Sequence, residues 1–298
     1  MKKNLQQQLW SLALFSLPLI GANVNPKVLA QITPDNTLGN ESSVVTPNVN
    51  IKGIPSDLIQ GGAARGANLF HSFSEFNIDA TRGAYFANPA KIRSIFSRVT
   101  GSNPSEILGR LGVLGEANLF FINPNGIIFG KNASLDLKGS FVGSTANSFS
   151  FPDGSQFSAT NPQAPPLLKI EVEVPVGLVF EGKAASSLEN AGNLEVGKGK
   201  NLTLQGDIIT NSGSLTASGG TIHLLGNQVS PVDKATFDSS YPSNGDTFLI
   251  GKENLESEVR RGYVVNDGII TGENIVVNAR TLVNYNTLDT SGGIGGLC

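Results

Sequence analysis

A short pattern of Asn, Gly and alternating apolar residues recurs in the second half of the chain with a period of 20 to 21 residues. The form Asn-x-Gly-x-apolar begins at Asn190, Asn211 and Asn266, and a variant begins at Asn284. Self-similarity at this period is typical of a solenoid. Apolar residues at every second position indicate short strands joined by tight turns. Leucine-rich repeats have a similar length, but their leucine signature is missing. The sequence therefore predicts an all-β, right-handed parallel β-helix.

The repeated Asn residues allow two interpretations. Asn tolerates the left-handed turn conformation, which is sufficient reason to find it in a tight turn. Stacked copies of Asn can also hydrogen-bond to one another from coil to coil as a ladder. Both interpretations stay open at the level of sequence.

The first half of the chain is rich in Phe. Twelve of the sixteen Phe residues lie between 69 and 157. Because a single coil cannot offset its own conformational entropy, the array needs a folded seed. We expect this half to form an amino-terminal cap and the first coils, and to cover the exposed sheet edge. Short helices are predicted at 89–97 and 104–108, where Pro follows an Asn that can act as N-cap.

Residues 1–30 have the features of a signal peptide. Lys2 and Lys3 precede an apolar run at 9–22, and cleavage is expected after Ala30. The run is shorter than the ~20 residues that span a bilayer. The mature chain, 31–298, is predicted to be a single β-helical domain, with the cap and first coils at 31–160 and further coils at 161–298. Residues 230–262 interrupt the repeat and are expected to leave the helix as a loop or extra-helical hairpin.

Composition limits the partners and the chemistry. The net charge is -3 and only 15% of residues are charged, which is below the average for a domain. No basic stripe is visible along the sequence, so nucleic acid is not expected as a partner. Cys298 is the only cysteine, so an intrachain disulfide cannot form.

No catalytic or metal-binding constellation emerges from the motifs. His71 and His223 are the only histidines, and neither has partners at a triad or metal-ligand spacing. By alternation, His223 should point away from the core into solvent. Parallel β-helices also include polysaccharide lyases and hydrolases, which keeps a carbohydrate-active enzyme as an alternative. Asp136 with Lys138, and Asp79 with Arg82, are the charged pairs that such a site could use, but scattered surface ion pairs explain them. We predict no enzyme activity, no cofactor and no metal.

The segment 118–130 contains Asn123-Pro124-Asn125-Gly126 between two apolar runs, which predicts a strand, a tight turn and a strand. The Asn-Pro word recurs at Asn88-Pro89 and at Asn103-Pro104. Together with the signal peptide, these words resemble the amino-terminal secretion domain of the filamentous haemagglutinin family, the exported partner in two-partner secretion. The resemblance is close over 32–150 and looser to about 290.

This resemblance implies both a partner and a location. The partner would be an outer-membrane β-barrel transporter with periplasmic domains, which passes the chain through the periplasm of a Gram-negative-type envelope. The product would be a secreted or surface-bound monomer that acts as an adhesin or interaction scaffold for a carbohydrate or a cell-surface protein.

The resemblance also assigns site residues. Asn123, Pro124, Asn125, Gly126 and Ile127 would form the secretion motif. Asn88, Pro89, Asn103 and Pro104 would be weaker members, because the family's Asn-Pro-Asn-Leu word stands here only as Asn88-Pro89-Ala90-Lys91. A rigid turn explains each motif residue, so a mainly structural role is expected. The alternative is that the unfolded chain is recognised by β-augmentation, in which an extended segment adds as a strand to the edge of a sheet.

Overall fold

The computed structural model describes residues 31–163, 177–181, 186–226, 262–279, 281–290 and 294–297. The predicted signal peptide, nearly all of the predicted insertion at 230–262, and Cys298 lie outside these ranges. Within them, no helix has the length and apolar character needed to cross a membrane.

The described chain consists of strands joined by turns, with one short 3-10 helix at Gly39–Glu41. In chain order the strands are β1 Ile32–Pro34, β2 Ser43–Ile51, β3 Ile54–Gly61, β4 Ala63–Arg65, β5 Asn68–Phe76, β6 Gly83–Ala87, β7 Ser94–Val99, β8 Ser105–Ile107, β9 Arg110–Leu114, β10 Asn118–Ile122, β11 Ile127–Phe129, β12 Ser134–Asp136, β13 Phe141–Ser144, β14 Ser148–Ser150, β15 Gln156–Ser158, β16 Gly177–Val179, β17 Ser187–Asn190, β18 Asn193–Glu195, β19 Leu202–Gly206, β20 Ile208–Asn211, β21 Ser214–Gly226, β22 Tyr263–Asn266, β23 Ile269–Asn278, β24 Thr281–Asn284, β25 Leu288–Thr290 and β26 Ile294–Leu297.

These strands wind into coils that have three faces. The first face contains β5, β7, β10, β13, β19, the second halves of β21 and β23, and β26. The second face contains β8, β11, β17, β20, β22 and β24. The third face contains β3, β6, β9, β12, β18, the first halves of β21 and β23, and β25. All of these pairings are parallel, so the predicted parallel β-helix is confirmed.

The register explains the period seen in the sequence. Leu202 pairs with Ile222, twenty positions later, and Leu194 pairs with Leu215, twenty-one positions later. Ile209 pairs with Val264 across the predicted insertion. Apolar side chains at these positions point inward and form one continuous core along the helix.

Antiparallel strands close the amino-terminal end. β1 pairs with β5, β2 forms a hairpin with β3, and β4 pairs with β5. A separate antiparallel sheet of β14, β15 and β16 lies outside the helix. The predicted cap is therefore present, and an extra-helical sheet is present at a place that was not predicted, whereas the hairpin expected at 230–262 falls nearly all outside the described residues.

The Phe residues of the first half divide between two clusters. Phe73, Phe76, Phe86, Phe121, Phe129 and Phe141 belong to the core inside the helix. Phe70, Phe96, Phe120, Phe149, Phe151 and Phe157 form a second cluster on the outward side of the first face, beneath the extra-helical sheet. Phe70, Phe96 and Phe120 stack there at centroid distances of 5.2 and 4.7 Å. The aromatic residues thus fill the helix and attach the extra sheet to it.

A buried arginine connects the cap to the extra-helical sheet. The Arg98 guanidinium donates to the Ser158 carbonyl oxygen at 2.8 Å and to Thr37 Oγ1 at 2.7 Å. It also lies 3.9 Å from the centre of the Phe157 ring. Burial lowers the pKa of Arg98 to about 10, which leaves it charged near neutral pH. Sequence reasoning did not single out this residue.

The Asn ladder is present. Asn190 Nδ2 donates to Asn211 Oδ1, Asn211 Nδ2 to Asn266 Oδ1, and Asn266 Nδ2 to Asn284 Oδ1, each at 2.7 Å. The Asn190 and Asn266 side chains also accept hydrogen bonds from the backbone two residues later. The ladder interpretation is therefore confirmed, whereas none of the four Asn residues has a positive φ, so the left-handed turn conformation is not what places Asn at these positions.

A second ladder runs along another corner and was not predicted. Asn118 Oδ1 accepts from the Ser140 amide at 2.8 Å, Ser140 Oγ from the Asn201 amide at 3.1 Å, and Asn201 Oδ1 from the Thr221 amide at 2.9 Å. Each side chain satisfies a backbone donor at the start of the strand one coil later.

The predicted helices at 89–97 and 104–108 are wrong, because these segments contain β7 and β8. Asn88 does not cap a helix. Its side chain closes a turn instead, because Nδ2 donates to the Ile92 carbonyl oxygen at 2.9 Å. Neighbouring coils pair with β7 on both sides. Inter-coil hydrogen bonds therefore replace the local bonds that a helix would make.

The two histidines have different surroundings. His71 is fully buried inside the cap, with Nδ1 2.9 Å from Ser43 Oγ and no partner for Nε2 among the described residues. Burial lowers the pKa of His71 to about 3. His223 does face outward between Ile222 and Leu224, but it is half-buried, and burial lowers its pKa to about 4. The expectation that His223 is fully solvated is wrong.

We predict that the interior of the Asn ladder contributes more stability than its end. Asn211→Ala removes both ladder bonds at a buried position and leaves neighbouring amide groups unsatisfied, so it should destabilise the fold by about 2 to 4 kcal/mol. Asn284→Ala, at an exposed position, should cost under about 1 kcal/mol. Denaturant midpoints of the two variants test this, and equal midpoints would contradict it.

We also predict that stability falls as the pH is lowered from about 6.5. The folded pKa values of His71 and His223 lie below the ordinary value of about 6.5, so the unfolded chain binds more protons in this range. Each histidine should contribute a slope of about 1.4 kcal/mol per pH unit once the pH is below 6.5. When the free energy of unfolding in urea is measured between pH 6 and pH 5, its dependence on pH should be smaller in His71→Leu by the contribution of His71. A slope that does not change in this variant would show that His71 is not held neutral.

Candidate functional site

The Asn-Pro-Asn-Gly turn connects β10 on the first face to β11 on the second. The Gly126 amide donates to the Asn123 carbonyl oxygen at 3.1 Å, which closes the predicted tight turn. Gly126 has a φ of 123°, a region that disfavours residues with a side chain. Ile127 follows at once and is fully buried in the core. The predicted strand, turn and strand are thus present.

Asn123 holds this turn from inside the protein. Its side chain is fully buried, and Nδ2 donates to the Asn103 carbonyl oxygen and to Ser105 Oγ, both at 3.0 Å. Its Oδ1 accepts from the Asn125 amide at 2.9 Å. Every hydrogen-bonding atom of this amide group therefore has a partner within the fold.

The structure brings two of the Asn-Pro words together. The turn at 123–126 stacks on the turn at 101–104 of the preceding coil. Asn125 Nδ2 donates to the Gly101 carbonyl oxygen at 2.8 Å, and the Ser105 amide donates to the Gly126 carbonyl oxygen at 3.0 Å. Asn103 in turn donates to Glu75 Oε1 at 2.7 Å. The backbone and the amide side chains connect these coils at one corner of the helix.

The third word, Asn88-Pro89, lies at a different corner, between the third and first faces. Asn88 Oδ1 accepts from the Glu116 and Ala117 amides at 2.9 and 3.0 Å. It therefore holds its own turn against the next coil, whereas Asn123 bonds to the preceding coil. The lost Asn-Leu half of this word is not needed for these contacts.

The outward surface at the motif corner is small and polar. Asn125, Asn103 and Pro104 are exposed, and Pro124 is half-buried. On the second face, Glu106 and Glu189 flank Ile128 in register and are exposed. The accessible part of the corner thus combines amide groups, proline rings and negative charge.

Asp136, the residue considered for catalysis, is held by other side chains. Its carboxylate accepts from Lys52 Nζ at 2.6 Å and from the Tyr85 hydroxyl at 2.8 Å. Burial raises the pKa of Asp136, but these hydrogen bonds outweigh it and the pKa lies below its ordinary value. Burial and the bond to Asp136 raise the pKa of Tyr85 to about 12, so Tyr85 is a poor base. The group fastens the cap hairpin to the third face.

Arg82, which was also considered for catalysis, pairs with Asp57 at 2.6 Å, so this arginine has a structural partner. Within the described ranges, no group of three or more His, Cys, Asp and Glu residues is placed to hold a metal ion.

Comparisons with known proteins agree with this geometry. The family model described as the TPS secretion domain matches residues 30–294. The crystal structure of the HMW1 secretion domain from Haemophilus influenzae is similar to this one, with 22% sequence identity and a TM-score of 0.56. The match covers 85% of this chain and 57% of that chain, so this chain spans little more than half of the solved structure. No curated protein sequence matches the chain.

We predict that the two motif asparagines contribute unequally to stability. Asn123→Ala removes four side-chain hydrogen bonds at a buried position and should destabilise the fold by about 2 to 4 kcal/mol. Asn125→Ala removes two hydrogen bonds of an exposed side chain, to Gly101 and to Asn123, and should cost about 1 kcal/mol or less because water can replace these bonds. Thermal unfolding followed by circular dichroism provides the measurement. If the exposed substitution is the costlier one, the turn is not held from inside.

Proposed function

Because this chain belongs to the family of TPS, or two-partner secretion, domains, we propose that an outer-membrane β-barrel transporter with periplasmic domains recognises it and passes it outward. The family match over 30–294 is the observation that carries this proposal. The chain reaches the periplasm through the signal peptide predicted at 1–30, and the transporter then delivers it to the medium or the cell surface as a monomer.

The motif residues act mainly by forming the fold. Asn123 has no accessible surface and no unused hydrogen-bonding atom, so in the folded state it cannot contact a transporter. Asn125, Asn103, Pro104 and Pro124 remain accessible and offer the transporter a surface at the same corner. The buried Asn123 therefore fixes the conformation of the turn, and its accessible neighbours form the surface that the transporter contacts.

Folding of the first coils also gives transport a direction. A solenoid can grow coil by coil from a folded end, since each repeat contacts only its neighbours. The cap and the first motif turns emerge early if the amino-terminal half leaves first. Each added coil then buries apolar side chains outside the membrane, which opposes return of the chain.

Outside the cell, the domain serves as an adhesin or as a scaffold that binds a carbohydrate or a cell-surface protein. The long side of a β-helix suits this role because it repeats similar positions at each coil. No observation favours the alternative of a carbohydrate-active enzyme, since Asp136 is occupied by Lys52 and Tyr85.

Co-expression with the transporter tests the export proposal. We expect the wild-type chain to be released only when the transporter is present, and Asn123→Ala to lower the released fraction several-fold with accumulation or degradation in the periplasm. Asn125→Ala, which disturbs the fold less, should be released at an intermediate level. Immunoblots of medium and periplasm measure these fractions. Release without the transporter, or wild-type release of Asn123→Ala, would overturn the proposal.

A further inference from the structure

The Asn-Gly pair of the motif turn consists of two residues that can react with each other in water. In such a pair the backbone nitrogen of the glycine can attack the side-chain amide carbon of the asparagine, because glycine has no side chain that obstructs the five-membered ring. Gly126 has a φ of 123°, so the turn requires glycine at this position. The reactive pair is therefore part of the turn itself. The sequence contains one other Asn-Gly pair, Asn244-Gly245, which lies outside the described residues.

In the folded turn, hydrogen bonds occupy both reacting groups. The Gly126 amide donates to the Asn123 carbonyl oxygen at 3.1 Å. Asn125 Nδ2 donates to the Gly101 carbonyl oxygen at 2.8 Å and to Asn123 Oδ1 at 3.3 Å. Ring closure has to break these bonds, because the Gly126 nitrogen must lose its proton and the Asn125 side chain must turn toward it. The hydrogen bonds that shape the turn therefore also oppose the reaction.

Neighbouring coils also restrict the backbone of Gly126, which is buried although Asn125 is exposed. The Gly126 carbonyl oxygen accepts from the Ser105 amide of the preceding coil at 3.0 Å. On the opposite side, a Cβ at Gly126 would lie 3.1 Å from the Ser187 carbonyl oxygen of the next coil. The peptide unit between Asn125 and Gly126 can therefore rotate only when the corner opens locally. Water reaches the side chain, but the backbone nitrogen is not free to attack it.

We propose that Asn125 is a deamidation site that the folded turn protects, so that a chain kept unfolded loses the motif chemically with time. The Gly126 nitrogen forms a bond to Asn125 Cγ, the Cγ–Nδ2 bond breaks, and ammonia leaves with the proton of the Gly126 amide. Water then opens the resulting succinimide ring. Attack of water at Cγ gives aspartate, and attack at the main-chain carbonyl carbon gives isoaspartate. The overall change consumes one water and releases one ammonia, with no oxidant or reductant.

Both products damage the turn. A carboxylate at position 125 is ionised near neutral pH and has no proton to donate. The Gly101 carbonyl oxygen and Asn123 Oδ1 would then lose their donor and face a negative charge. Isoaspartate adds one carbon to the backbone before Gly126, which moves the Gly126 amide away from the Asn123 carbonyl oxygen. Isoaspartate should therefore be the more harmful product, since it removes the bond that closes the turn.

The biological role of this reaction rests on the proposed export function. In that proposal the coils form outside the membrane, so the chain reaches its transporter before the corner has folded. Asn125 is unprotected in this interval, because protection needs the turn at 101–104 and the coil that contains Ser187. Prompt export and folding would preserve the turn, whereas a chain that waits unfolded would become unable to form it.

The purified mature chain tests this without the transporter. One sample is kept folded in buffer and another unfolded in guanidinium chloride, at the same mildly alkaline pH. Peptide mass spectrometry then follows the mass increase caused by replacing NH2 with OH. In the unfolded sample, Asn125 and Asn244 should deamidate at similar rates, since both precede glycine. In the folded sample, Asn125 should react at least about tenfold more slowly than in the unfolded one. The proposal is overturned if Asn125 stays intact in guanidinium while Asn244 reacts, or if Asn125 reacts equally fast in both samples.

Two variants connect the reaction to the turn. Asn125→Gln should resist it, because glutamine would have to close a six-membered ring, which forms far more slowly. After incubation in guanidinium and refolding, the denaturant midpoint of the wild type should fall with incubation time, whereas that of Asn125→Gln should stay at its fresh value. Asn244→Gln is the matched control, since it removes the other Asn-Gly pair and should age as the wild type does. Equal ageing of wild type and Asn125→Gln would refute the loss of the motif. Because no transporter is present, failure here leaves the export proposal standing, and failure of export leaves these results unaffected.

Discussion

Parallel pairing of each coil with the next, in a fixed register, is the constraint on which this structure depends. A coil of about twenty residues buries too few side chains to order itself, so its backbone groups need partners above and below. Two side-chain ladders maintain the register at the corners. The ladder at Asn190, Asn211, Asn266 and Asn284 joins amide to amide. The ladder that starts at Asn118 joins side chain to backbone. Hydrogen bonds between coils are thus present at these corners as well as along the strands.

The same constraint explains the cap and the extra-helical sheet. A stack of coils begins with an exposed edge that invites aggregation, and the antiparallel strands β1 to β4 occupy that region. On the first face, the rings of Phe70, Phe96 and Phe120 would be exposed without the sheet of β14 to β16. Arg98 ties the amino-terminal segment to this sheet through Thr37 and Ser158. The end of the helix and its aromatic side are therefore covered by one connected unit.

Features that repeat at short range could be predicted from the sequence, and features created by stacking could not. The period, the strand–turn–strand unit at 118–130 and the Asn ladder follow from local spacing, which fixes both strand and turn. The helices predicted at 89–97 and 104–108 were wrong. Asn-Pro is a typical local signal for a helix start, but β7 takes its hydrogen bonds from the strands of the neighbouring coils. Arg98, likewise, gains its partners only in the folded cap.

At the motif corner, the residues that fix the turn also determine which side chains are exposed there. Asn123 is buried and fully bonded, so its contribution is to fix the turn, yet that turn determines where Asn125 and Pro124 stand on the surface. A transporter that contacts only the exposed neighbours would still require Asn123, because without it they would no longer be held in place. A transporter that reads the unfolded chain would instead distinguish these residues by type, independent of the coil at 101–104. Since the Asn125 side chain bonds to Gly101 in that coil, and a Cβ at Gly101 would approach the Ser74 carbonyl oxygen to 2.0 Å, substitution of Gly101, which leaves every motif residue intact, separates the two modes of recognition.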